Sequence, residues 1–118
     1  MNETPETRKI EDTLAKIEAR LHSSEAIPDD KRTELQELMA TLRIEVARLS
    51  GTHAEQAQSI AGFTEVSAHE ATREPQNPRL LKLSLDGLVS SVEEFETSHP
   101  KLVQIVNSIS TTLSNLGI

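Results

Sequence analysis

LVQIVNSISTTLSNLGI, residues 102–118, carries no charged side chain in a protein that is 26% charged overall. Leu102, Val106, Ile109, Leu113 and Leu116 recur at spacings of 4, 3, 4 and 3, which places them on one face of an α-helix. Ser, Thr, Asn and Gln fill most of the remaining positions; they are polar but cannot repel a close neighbour by charge. A helix of this composition is suited to being surrounded, either as the centre of a monomeric bundle or as a self-association face. Val103 and Ile105 flank the stripe and widen its apolar arc beyond what one partner helix covers. A small chain of low apolar content gains stability by sharing such a face. The expected self-association face is therefore Leu102, Val103, Ile105, Val106, Ile109, Leu113 and Leu116, and the expected assembly is a homodimer.

Upstream, Leu81, Leu85, Leu88, Val92 and Phe95 keep the same rhythm. The two stripes meet at Thr97-Ser98-His99-Pro100. One architecture is a single kinked helix over about 79–116 with His99 in its seam. The other is a hairpin with residues 97–100 as a tight connection, pairing Phe95 with Leu102 and Leu81 with Leu116. An interior proline costs about 3 kcal/mol and disfavours helix at the residue before it, and the stripes match in length, so the hairpin is favoured.

The first half reads as a helical pair. Thr4 followed by Pro5 has the form of an N-cap with proline at the first helical position. Ile10, Leu14, Ile17 and Leu21 form one stripe, with Asp12 and Lys16 spaced for an i,i+4 ion pair. SSEAIPDD, residues 23–30, breaks this helix and starts another, with Asp29 or Asp30 at the positive end of the new dipole. Leu35, Leu38, Leu42, Val46 and Leu49 form the second stripe. Ser50-Gly51 stops it, and Thr52-His53-Ala54-Glu55 has the pattern of a capping box. Ala57, Ile60 and Phe63 then carry a weaker apolar face as far as Ala71; this helix is poor in Leu and contains Gly62. REPQNP, residues 73–78, is a linker, and Asn77 with Pro78 caps the next helix. The expected organisation is one helical domain over 1–118: a pair over 10–50, a variable middle over 51–78 and a hairpin over 79–118. The expected fold is all-α, an up-and-down bundle of four or five helices with heptad seams, elongated in shape.

Composition narrows the function. Hydrophobic residues make up 36%, with two Phe and no Trp or Tyr, so the core is a seam of aliphatic side chains. Twelve Lys and Arg against 19 Asp and Glu give a net charge of −7, with no basic stripe; this argues against nucleic acid or an anionic membrane as partner. With no cysteine, disulfides, thiolate catalysis and Cys-based metal sites are excluded. The N-terminus lacks the apolar run of a signal peptide, and the uncharged tail is too short and too polar to span a bilayer. A cytoplasmic location is expected.

FETSHPKL, residues 95–102, together with the ending LSNLGI, residues 113–118, resembles a family of short bacterial helical proteins catalogued as a domain of unknown function. The resemblance runs from about Ile10 to Ile118. It implies an N-terminal helical pair, a variable middle and a final helix after a Ser-His-Pro step. It implies no reaction.

Candidate chemistry is sparse. Glu96 and His99 have the i,i+3 spacing of carboxylate-bridged metal bundles, but such sites need two such pairs and two further carboxylates. His69-Glu70 begins a zinc-protease motif whose second His position holds Arg73. Glu65 and His69 could at most hold a surface metal weakly. The glycines at 51, 62, 87 and 117 are scattered, with no phosphate loop, and no serine sits in a nucleophile elbow. The expected function is a protein-interaction or assembly module acting through helix packing, with no enzyme chemistry and no cofactor. Two alternatives are a metal-binding bundle using Glu96 and His99, as enzyme or storage protein, and a carrier of an apolar small ligand.

Overall fold

The computed structural model describes residues 5–116. Its elements are α1 (Pro5–Ser23), α2 (Asp29–Ser50), α3 (Ala54–Thr72), α4 (Pro78–Ser90), a 3₁₀ turn at Glu93–Phe95 and α5 (Pro100–Leu116). No strand occurs among the described residues. The expected cap at Thr4 and the terminal Gly117 and Ile118 lie outside them.

The starts of α4 and α2 have local causes. At α4 the Asn77 side chain accepts a hydrogen bond from Leu80 N–H at 3.1 Å, with Pro78 at the first helical position. This satisfies one orphan donor of the first turn. At α2 the loop is clamped from within the helix, since Arg32 donates to the carbonyls of Ser24 (2.7 Å) and Ile27 (2.9 Å) while pairing with Asp29. Thr52 does not cap α3. Its hydroxyl and amide turn back to the Leu49 carbonyl, and His53 stands at the cap position without a side-chain cap bond. Gly51 is right-handed at φ −65°, so α2 ends there without using glycine's left-handed freedom.

The five helices enclose one core. α1 and α2 pack together, α3 lies against α1, α2, α4 and α5, and α5 packs on α2, α3 and α4. The side-chain pairs Glu18–Arg43 and His22–Gln36 run α1 antiparallel to α2. Lys16–Glu65 and Arg20–His69 run α1 parallel to α3. Lys16 therefore reaches across to Glu65 at 3.8 Å and does not form the expected pair with Asp12. In α2, Met39 is fully buried and Leu38 only partly so, a shift of one position from the expected stripe.

The molecule is about twice as long as it is thick, 40 × 26 × 21 Å, and its radius of gyration is 13.5 Å. That is about 13.5 Å for any compact chain of this length. Four-sided packing around α3 draws the hairpins together, and α3 permits it because its inner positions are small: Ala57, Ala61, Thr64, Ser67, Ala68 and Ala71 are all buried.

Helix α4 is shorter than its stripe. It stops at Ser90, and Val92 and Phe95 reach the core from the turn that follows. Residues 91–99 form the connection, and α5 starts at Pro100, where a fixed φ suits the first helical position.

Candidate interaction surface

The charge-poor helix α5 spends its stripe on its own chain. Leu102, Val106, Ile109 and Leu113 are buried, and Val103, Ile105 and Leu116 are partly buried against the same core. Beyond Pro100 and Lys101 at its start, what α5 shows outside is Gln104, Asn107, Thr111, Ser114 and Asn115, all polar and uncharged.

Large apolar side chains emerge elsewhere. Phe63 (41% exposed) and Val66 (47%) stand on α3, and Leu80 (41%) and Leu83 (59%) on α4. Their arrangement follows from one close contact. The Phe63 ring lies over Gly87, so near that a Cβ there would meet it at 2.4 Å. This contact sets the register of the two packed helices. Because α3 and α4 are joined by only residues 73–77 and run antiparallel, stepping from Phe63 to Val66 on α3 matches stepping from Gly87 back to Leu83 on α4. Leu80, three residues further, continues the line. This register sets Phe63, Leu83 and Leu80 along the groove between the helices, with Val66 between it and the α1–α3 groove, whose lining it joins.

Phe63 marks a difference from the sequence reading. Ala57, Ile60 and Phe63 were expected on one inward face, but successive steps of three lag the helix by about 60° each. Ala57 and Ile60 are buried, and two steps bring Phe63 to the margin. Leu80 and Leu83 fall outside the stripe of Leu81, Leu85 and Leu88, and that surplus of leucine was the available signal.

Charge changes sign along α4 and its flanks but not along the whole face, because α3 sets Glu65 and Glu70 beside the basic end and Glu70 pairs with Arg73 at 3.1 Å. Residues 73–82 hold Arg73, Arg79 and Lys82 against Glu74, whereas residues 83–96 hold Asp86, Glu93, Glu94 and Glu96 and no basic side chain. Lys82 and Asp86 form an exposed pair at 3.1 Å on the edge of α4 that borders the α4–α5 groove.

Two of the four histidines, His53 and His99, meet at one end of the bundle. The His53 ring meets Phe95 edge-on at 5.3 Å, His99 meets Phe95 at 5.5 Å, and the two imidazoles stand 6.5 Å apart. Thr52 Oγ1 lies 2.8 Å from His53 Nδ1 and Ser98 Oγ lies 3.0 Å from His99 Nδ1. Each hydroxyl–imidazole pair precedes a helix, so the Ser-His-Pro step joins the starts of α3 and α5 through Phe95. Glu96 is exposed. No group of three or more His, Asp or Glu side chains is placed to hold a metal among the described residues. His69 is engaged by Arg20 at 3.1 Å.

Grooves of about 410, 560 and 510 Å³ lie at the surface between α1 and α2, α1 and α3, and α4 and α5. No described helix is long and apolar enough to cross a membrane.

These features define an all-helical bundle whose outward apolar residues concentrate on one helix pair. Residues 64–118 match the family model described as a domain of unknown function, DUF4404. The matched span is shorter than the expected Ile10–Ile118 and takes in the second half of α3, from Thr64, all of α4 and α5 and, of the stripe, Val66, Leu80 and Leu83. No curated protein and no solved structure matches the chain.

Proposed function

We propose that this protein is an interaction and assembly module that works through helix packing, with the α3–α4 stripe as its contact surface. The observation that carries this reading is the concentration of Phe63, Val66, Leu80 and Leu83 on one face. Of the five large apolar side chains that stand exposed among the described residues, only Ile44 lies elsewhere. An outward apolar patch of this kind lowers the free energy of the free chain's surface only when something covers it. The expected homodimer fits this face better than the α5 stripe, which the chain's own helices already cover.

The metal-bundle and apolar-carrier readings gain no support. Glu96 points to solvent while the His99 ring packs on Phe95, and the grooves are open surface features outside the aliphatic core.

A photo-crosslinking residue placed at Leu83 in the expressing cell tests the reading. Covalent adducts are expected from Leu83 and not from Asn107 on the outer face of α5. Adducts at neither position, or equally at both, would contradict it.

A further inference from the structure

We propose that the groove between α4 and α5 is a binding site for an uncharged linear amphiphile, an alkyl chain ending in an alcohol, whose hydroxyl pairs with Ser110. The site shares no residue with the α3–α4 stripe and is independent of the interaction-module reading.

A missing hydrogen bond points to it. Buried polar groups are nearly always paired, and each exception calls for a reason. Among the described residues, three buried side-chain polar atoms have no partner: Arg32 Nε, Ser67 Oγ and Ser110 Oγ. Arg32 belongs to the clamp at the start of α2, where its other nitrogens are engaged. Ser67 is fully enclosed in the core. Ser110 is 8% exposed and lines the α4–α5 groove.

A helical hydroxyl has an easy alternative, a bond back to a carbonyl of its own helix. Thr111, next in sequence, takes it at Asn107 (3.0 Å), and Ser84 takes it at Leu81 (2.8 Å). Ser110 leaves that option unused. One staggered torsion orients its Oγ, so a hydroxyl seated in the groove can be met without any change of backbone.

The rest of the lining specifies the ligand. Leu81, Leu85 and Val89 on α4 form an apolar wall, and the α5 wall is polar and uncharged. The lining charges, Lys82 and Asp86, neutralise one another at 3.1 Å. Neither a carboxylate nor an ammonium group therefore gains by entering. From Pro78 to Val89 the groove follows α4 for about 17 Å, at about 1.5 Å per residue. Its 510 Å³ spread over that length leaves roughly 30 Å² of cross-section. That width takes one methylene chain and excludes a helix, which is about 10–12 Å across.

The test is a titration of the whole chain with 1-octanol, followed by amide NMR. Saturable shifts are expected within residues 81–89 and 110–115, which border the groove. Ser110→Ala should weaken binding roughly 5- to 10-fold, as expected for one lost hydrogen bond. Ser67→Ala, which removes the other unpaired hydroxyl, should leave the affinity unchanged. Octanoate, the same chain with a charged end, should bind at least about 10-fold more weakly than 1-octanol, because its carboxylate would give up water without gaining a free cation.

Ser110→Ala should also melt at the same temperature or higher, since it removes an unpaired hydroxyl and adds a better helix former. A clear fall would mean that the hydroxyl is paired within the fold and would overturn the proposal. So would shifts that do not saturate up to the solubility limit of 1-octanol, or that centre on another groove. Equal affinities of the wild type and Ser110→Ala, or of octanol and octanoate, would overturn it as well.

Discussion

Helix α5 and the α3–α4 pair reverse what their compositions suggest. α5 has the cleanest apolar stripe and no charge after Lys101, yet it buries most of that stripe and its fully exposed positions after Lys101 are all polar. α3 has small residues and a weak pattern, yet it touches four other helices and, with α4, leaves four large apolar groups outside. The difference lies in how many neighbours each helix has and where they sit. Three helices cover the apolar arc of α5. α3 is flanked by α1 on one side and α4 on the other, and the ridge above the α3–α4 groove has no fifth helix over it.

Substitutions that separate buried from outward apolar groups probe this contrast most strongly. Ile109 is fully buried in α5. Ile109→Asp should cost about 3–5 kcal/mol, since its charge loses water and gains no partner. Thermal melts followed by circular dichroism would read this as loss of the cooperative transition, and an unchanged melt would place Ile109 outside the core.

The next effect tests why α3 can sit at the centre. Ala68 is fully buried there, and Ala68→Leu should destabilise the fold by about 1–3 kcal/mol through overpacking. Urea unfolding would measure it. A stabilised variant would mean that α3 leaves a void its small residues do not fill.

Asn77→Ala should cost about 1 kcal/mol by removing the side-chain acceptor for Leu80 N–H, read as a lower urea midpoint at constant slope. Smallest of all, Leu83→Ser should change the stability of the monomer by no more than about 0.5 kcal/mol, as expected for an exposed site. A larger loss measured in dilute solution would show that Leu83 packs inside the single chain.

Much of this fold was legible in the 4,3 spacing. Ile10, Leu14, Ile17 and Leu21 are buried as a set, and so are Leu81, Leu85 and Leu88. Asn77 and Pro78 marked the start of α4 because capping is local chemistry. Phe63 was not legible as a surface residue, since its outward turn depends on a phase drift and on Gly87 lying opposite, a contact between residues 24 positions apart. Thr52 failed as a cap because the last turn of α2 claims its hydroxyl, which is a matter of where the preceding helix ends. The interaction face was hidden for a related reason. Sequence shows how much apolar surface a helix offers, whereas exposure depends on which neighbours remain to cover it.

The most direct test compares one charge placed on each outer face, by sedimentation equilibrium of the wild type, Gln104→Glu on α5 and Leu83→Glu on α4. The wild type and Gln104→Glu should both dimerise reversibly, while Leu83→Glu should remain folded and sediment as a monomer. Dimers that survive Leu83→Glu but dissociate with Gln104→Glu would contradict the account and move the contact to α5.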